Sequence, residues 1–384
     1  MQSREQEQHI AVFGESGSGK TVMVSSFYGA TQEQHYLQKS LFDVVADSAE
    51  QHRQLHQTYL GMKNSAQVPD ATRFSSTSYT FSIKLKDTVD SKTRMAKPFD
   101  ALRLVWHDYP GEWFEQDVSG ATEAQDRVGT FKSLLGSDVA LLLVDGQRLL
   151  DHSGEEEKYL KALLTSFRRG LLSLKGQLLE DGTLLRKFPR IWIMALSKSD
   201  LLPNLNVYEF RDLLIEKARD EIDQLHRVLA GFVEVSEALS FGEDFVLLSS
   251  AKFDADKIEV TERVGLELIL PMAAMLPLQR HARWAQLKLI PGKLGAQLLT
   301  KAKTLAMAAA LLGEKGRLPG RMGRLLSRLD PDLVDQVAKL AGDKLRDVNS
   351  EAVAKRDYLA ATLTRFQLDL EEGEEKQILF RSRR

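Results

Sequence analysis

The sequence contains no cysteine, which excludes disulfides, thiolate metal ligands and cysteine nucleophiles. Net charge is nearly absent too, −2 at pH 7 from 52 Lys and Arg against 54 Asp and Glu. No bulk attraction to nucleic acid is therefore expected. Apolar runs long enough to span a bilayer, about 18 residues, are missing. Residues 1–9 are polar and charged and lead straight into an apolar run. No signal peptide is expected from that, and the plain expectation is a cytoplasmic protein. What remains is an ordinary globular mixture, 43% apolar and 28% charged over 384 residues, enough for one large domain plus an appended piece.

The chain is organised around Gly14-Glu15-Ser16-Gly17-Ser18-Gly19-Lys20-Thr21, preceded by Ile10-Ala11-Val12-Phe13 and followed by Val22 to Tyr28. Strand, glycine loop and helix in that order are what a phosphate-binding loop needs. Glycines at 14, 17 and 19 permit a tight turn that aims several backbone N–H groups inward. A polyphosphate at the helix N-terminus meets unpaired amides and the positive end of the dipole. Lys20 then reaches the β and γ phosphates, and the Thr21 hydroxyl is a candidate Mg²⁺ ligand. The competing expectation is a Gly/Ser turn that happens to precede a helix.

Residues 30–76 lack a sustained period and are expected to form a long insertion, partly helical over 33–60 and ending in a loop. Alternation in Ser78–Leu85, and the run Ala101–Asp108, predict two strands paired as an antiparallel hairpin at a sheet edge. On that alternation His107 points away from its neighbour Asp108 and reads as a packing residue. Asp138–Asp145, Arg190–Leu196 and Phe245–Leu248 read as strands buried on both faces. Helical spacing occupies 119–136, 155–179, 207–230 and 261–275. Strands and helices alternate, which argues an α/β fold: a mostly parallel sheet with helices on both faces. A ligand is expected beyond the carboxyl ends of the strands.

Successive strands end in motifs: Asp108-Tyr109-Pro110-Gly111, Ser197-Lys198-Ser199-Asp200, and Ser250-Ala251-Lys252. With the glycine loop before them, residues 9–276 resemble the translation-factor-like P-loop GTPase superfamily. The string Asp108-Tyr109-Pro110-Gly111-Glu112-Trp113 further resembles a segment of the YcjX-like bacterial stress-associated GTPases. The resemblance implies a Mg²⁺-dependent protein that binds GTP and hydrolyses it to GDP, with segments 63–77 and 111–125 switching on loss of the γ phosphate. It places Asp108 in the Mg²⁺ shell and the Gly111 N–H on the γ phosphate. Lys198 packs its stem on the base, Asp200 accepts from guanine N1 and N2, and the Ala251 N–H meets guanine O6 in the Ser250–Lys252 loop. Ser197 stands where the family usually has Asn.

Glu112 follows the Asp-x-x-Gly motif, where Ras-like enzymes carry a water-positioning Gln. An anion beside the γ phosphate predicts slow intrinsic hydrolysis. Before the strand at 78–85, Thr72, Ser76 and Thr77 are candidates for the hydroxyl that senses the γ phosphate through Mg²⁺. Arg73 is a candidate charge-stabilising group in cis, set against the expectation that it faces solvent. Two rival functions stay open: a weakly hydrolysing, nucleotide-gated interaction module, and an ATPase with a coincidental Ser-Lys-Ser-Asp.

From Pro277 the strand signals fade, so a 1–276 nucleotide-binding domain and a helical, basic 277–384 region are expected. Residues 280–328 hold eleven Lys or Arg and one acid, Glu314. Within them Leu294–Leu312 could lie on an anionic membrane. The alternative is a helical hairpin packed on the core, and a protein partner could meet these helices or the switch segments. Aromatic interleaving is absent apart from Trp284, so nucleic acid is not expected. Residues 371–376 and 381–384 read as a frayed tail.

Overall fold

The computed structural model describes residues 5–66, 77–85, 101–108, 111, 121–179, 182–185, 188–254, 257–286, 350 and 358–382. Strands β1 (Glu5–Phe13), β2 (Phe42–Ala46), β3 (Thr77–Leu85), β4 (Ala101–Asp108), β5 (Val139–Asp145), β6 (Ile191–Ser197), β7 (Ser240–Leu247) and β10 (Leu379–Phe380) form one sheet. Its order is β10-β7-β6-β5-β1-β4-β3-β2. β1 and β4 to β7 run parallel, while β2, β3 and β10 are antiparallel to their neighbours. The hairpin expected from 78–85 and 101–108 is therefore present as β3 and β4.

β5 and β6 show why the parallel strands read as unbroken apolar runs: every residue of both is buried. Val139, Leu141 and Leu143 join Ile191, Ile193 and Ala195 in one layer, and Ala140, Leu142 and Val144 join Trp192, Met194 and Leu196 in the other. A strand covered on both faces has no polar side to display. The first layer is roofed by α1 (Lys20–Thr31), α8 (Ile269–Gln286) and α9 (Tyr358–Glu375), the second by α4 (Ala121–Leu134), α6 (Glu156–Leu178) and α7 (Val207–Ala230). α7 starts at a capping box in which the Asn206 side chain accepts from the amides of Tyr208 and Glu209, and Glu209 accepts from the Asn206 amide. That reciprocal pairing satisfies donors the helix cannot satisfy itself.

Three expectations are corrected. The insertion after α1 is not only helix and loop, because α2 (Gln34–Lys39) and α3 (Ala49–Ser65) flank β2, an edge strand on β3. The helix expected over 261–275 begins at Ile269 and continues through Pro277 to Gln286. Burial of Met272, Met275, Leu276 and Trp284 on the sheet layer offsets the cost of an interior proline, about 3 kcal/mol. Finally, residues 371–382 are not frayed: α9 packs on the first layer and β10 extends the sheet beside β7. Among the described residues after 277 the chain is helical in α8 and α9 and ends in the two-residue strand β10.

Buried Asp244 on β7 ties these late elements down. Its Oδ1 pairs with Arg280 at 2.5 Å and accepts from the Ser382 amide at 2.9 Å, while Ser240 Oγ donates to Oδ2 at 2.9 Å. Arg280, counted in the basic stretch, is consequently 4% exposed and unavailable to a membrane. The proposed helix Leu294–Leu312 lies outside the described residues.

Candidate functional site

Parallel order puts the carboxyl ends of β1, β4, β5, β6 and β7 along one rim. Val12 lies opposite Asp108, Asp145 opposite Ser197, and Leu196 opposite Leu247. Gly14–Thr21 leaves β1 there and turns into α1. Gly19, at φ 89°, is the residue before the helix and has no side chain with which to cap the first turn. A left-handed residue is most easily a glycine, and the amides of a helix's first turn suit an anion. Lys20 is 7% exposed, and its Nζ donates to the carbonyls of Gly14 at 2.8 Å and Glu15 at 2.9 Å, crossing its own loop. Gly111 lies against the same loop: a Cβ on it would come within 2.2 Å of the Ser16 nitrogen. Only a residue without a side chain lets the segment after β4 approach so closely.

Thr21 sits in the first turn of α1, and Asp108, 2% exposed, ends β4. A hydroxyl and a carboxylate are hard oxygen donors of the kind Mg²⁺ takes. Thr77 is the register partner of Asp108 across the β3–β4 ladder, so backbone pairing brings two of the three expected metal residues side by side. His107 next door packs as its alternation predicts. Its Nε2 lies 2.9 Å from His9 Nδ1 and its Nδ1 3.0 Å from Ser78 Oγ. Burial first, then the neighbouring His9, pushes its pKa down to about 4, so it is neutral near pH 7.

The other end of the rim carries the second motif pair. A cavity of about 340 Å³ runs from Gly17, Ser18 and Gly19 to Ser197, Lys198, Asp200 and Ser249–Ala251. Lys198 takes φ 52°, and its Nζ pairs with Asp145 Oδ2 at 2.8 Å. The other oxygen of Asp145 accepts from the Gln147 amide at 2.9 Å and so caps α5 (Gly146–Asp151). Ser249 Oγ donates to Asp200 Oδ1 at 2.7 Å and lies 3.0 Å from the Ala251 carbonyl. Ser197 Oγ donates to the Val144 carbonyl at 3.3 Å. Phe253, on the short strand β8 (Lys252–Asp254) paired with β9 (Lys257–Glu259), supplies an apolar wall.

Lys252 does not join this cavity; it is exposed and pairs with Glu262 at 3.5 Å. Arg73 and Glu112 lie outside the described residues, as do most of segments 63–77 and 111–125. Sequence reasoning missed Asp145, Ser249, Phe253 and Arg148. Arg148, on α5, places Nη1 3.1 Å from Glu15 Oε2 and donates from Nη2 to the Ser16 carbonyl at 3.3 Å. Beneath them the Tyr159 hydroxyl accepts from the Asp145 amide at 2.9 Å. Burial, with the Glu15 and Asp145 carboxylates beside it, raises the Tyr159 pKa and keeps the phenol neutral.

Comparison with known proteins fits this arrangement. The family described as Double-GTPase 2 matches residues 8–250, which takes in the glycine loop, the Asp-x-x-Gly strand and the Ser-Lys-Ser-Asp turn. No curated protein matches the chain. Among solved structures, similarity extends to a variant of Aquifex aeolicus Era bound to GDP and tetrafluoroaluminate, at 13% identity and a TM-score of 0.25, covering 72% of this chain and 67% of that one. Methanosarcina barkeri Roco2 RocCORdC bound to GDP is similar at 12% identity and a TM-score of 0.25, covering 98% of this chain and 93% of that one. On a family match spanning well over half its length, the chain belongs to the Double-GTPase 2 family and is a GTP-binding protein of the P-loop class.

Proposed function

We propose that this protein binds GTP and GDP with Mg²⁺, hydrolyses GTP slowly, and changes conformation through 63–77 and 111–125 as it does so. The observation that carries the reading is the single cavity whose wall holds both Gly17–Gly19 and the pair Lys198 and Asp200. A phosphate-binding loop alone identifies only a polyphosphate. A carboxylate in the same cavity identifies the base: it accepts from guanine N1–H and N2–H, whereas adenine offers no such pair and would leave it buried and unmatched. Each carboxylate oxygen has two lone pairs, so Asp200 Oδ1 can hold Ser249 and still accept from the base.

At the phosphate end, the amides of 16–21 and the Lys20 ammonium draw charge toward the γ-phosphoryl oxygens as they become more negative. Thr21 and Asp108 fit Mg²⁺ by donor chemistry, with Thr77 as the further candidate. Among the described residues no cluster of three or more His, Asp or Glu could cage a metal by protein alone, which suits an ion shared with phosphate oxygens. Thr21 and Asp108 would hold the ion, which when bound would supply neutralisation of the polyphosphate charge. Glu112 puts an anion, where Ras-like enzymes carry a neutral amide, beside the γ phosphate, and slow hydrolysis is expected from that. Arg73, the basic stretch and any membrane or protein partner belong to the same proposal and rest on sequence alone.

Single-turnover hydrolysis of radiolabelled GTP tests the turnover. Product should form faster than in enzyme-free buffer and stop in Lys20→Ala. Binding of GTP without such product would leave the nucleotide-gated module as the function.

A further inference from the structure

Glu15 lies in the glycine loop itself, and its own carbonyl is part of the cradle. That carbonyl accepts from Lys20 Nζ at 2.9 Å and from the Ser18 amide at 3.2 Å. Its carboxylate, 14% exposed on the side chain, therefore adds a negative charge within one residue of the groups that would receive a polyphosphate. Such a charge repels the ligand the loop is shaped to hold. Arg148 answers it from a different element, bridging Glu15 Oε2 and the Ser16 carbonyl. Arg148 rides on α5, whose start is fixed by Asp145, and Asp145 also grips Lys198. The phosphate loop and the base-contacting turn thus share one support.

We propose that Arg148 is a positioning residue of the nucleotide site: it neutralises Glu15 and holds the Glu15–Ser16 turn so that the loop accepts a triphosphate. The proposal rests on the guanine-nucleotide reading and names the residue that tunes it. An arginine suits the task because its planar fork reaches a carboxylate and a carbonyl together, which an ammonium does not do as well. GTP carries more negative charge than GDP, so loss of the guanidinium weakens GTP more than GDP. Because the Arg148 side chain is 38% exposed, salt screens part of the effect.

The test is equilibrium binding of fluorescent GTP and GDP analogues to full-length wild type, Arg148→Gln, Arg148→Lys, Glu15→Gln and the double variant Glu15→Gln/Arg148→Gln, at low and high salt. Arg148→Gln should weaken GTP about tenfold at low salt and GDP less, with the loss shrinking at high salt. Arg148→Lys, which keeps the charge but not the fork, should lie between wild type and Arg148→Gln. The loss of Arg148 should cost less in the Glu15→Gln background than in wild type, because the charge Arg148 offsets is gone while its contact to the Ser16 carbonyl remains. Should Arg148→Gln fail to fold, the comparison of Arg148→Lys with the double variant still decides. Wild-type affinity in Arg148→Gln overturns the proposal, as does a loss of Arg148 that costs as much in the Glu15→Gln background as in wild type. A wild type that binds no GTP defeats the guanine reading instead.

Discussion

Asp200, the residue proposed to read the base, is held by a hydroxyl from another strand end. Ser249 Oγ sits 2.7 Å from Asp200 Oδ1, so the carboxylate is oriented before any ligand arrives. A hydrogen bond to a charged group contributes about 1.5 kcal/mol or more. Ser249→Ala should accordingly raise the GTP dissociation constant about tenfold and narrow the preference for GTP over ATP, read by competition binding. An unchanged preference would show that Asp200 needs no such support. At this scale legibility followed sequence distance. Gly14–Thr21 is a run of neighbours and could be read directly. Asp145 with Lys198, Ser249 with Asp200, and Arg148 with Ser16 are separated by 53, 49 and 132 positions. No local pattern announces a partner that far away, and only the strand register brings them together.

Among the elements, those with a strong period were legible and those defined by their neighbours were not. β5 and β6 declare themselves by continuous apolar character. β2 is five residues with one exposed valine, Val45, and β10 is two residues long; both exist because β3 and β7 offer open edges. α9, with β10 after it, closes the fold, and one of its carboxyls gives a pH signature. Burial lifts the Asp369 pKa from 3.8 to about 6, although Arg365 lies at 2.7 Å and pulls it down. Between those values the folded protein keeps a proton that the unfolded chain has released. The stability this group contributes is therefore complete below the unfolded value and is lost as pH rises through about 6. Asp369→Asn does not titrate, so its stability relative to wild type should improve by up to about 3 kcal/mol between pH 4 and pH 7 in urea unfolding. A constant difference across that range would mean that Asp369 is not buried against the sheet.

For the whole molecule, the α/β class and the gathering of the motifs at the carboxyl ends of the strands were legible, because both follow from alternation and parallel order. The return of the chain to the sheet after residue 357 was not, since Asp244 recruits Arg280 and Ser382 from 36 and 138 positions away. The central claim is that one cavity clamps the phosphates at Gly14–Thr21 and reads guanine through Asp200. The most direct test is competition among GTP, ATP and XTP for wild type and Asp200→Asn, with single-site binding followed by fluorescence. Asparagine can place an N–H where the carboxylate accepted, which matches the 2-oxo group of xanthine. Wild type should prefer GTP over ATP by about a hundredfold or more, and Asp200→Asn should lose GTP while gaining XTP. A wild type that binds ATP as tightly as GTP, or an Asp200→Asn variant with unaltered GTP affinity, would contradict the account.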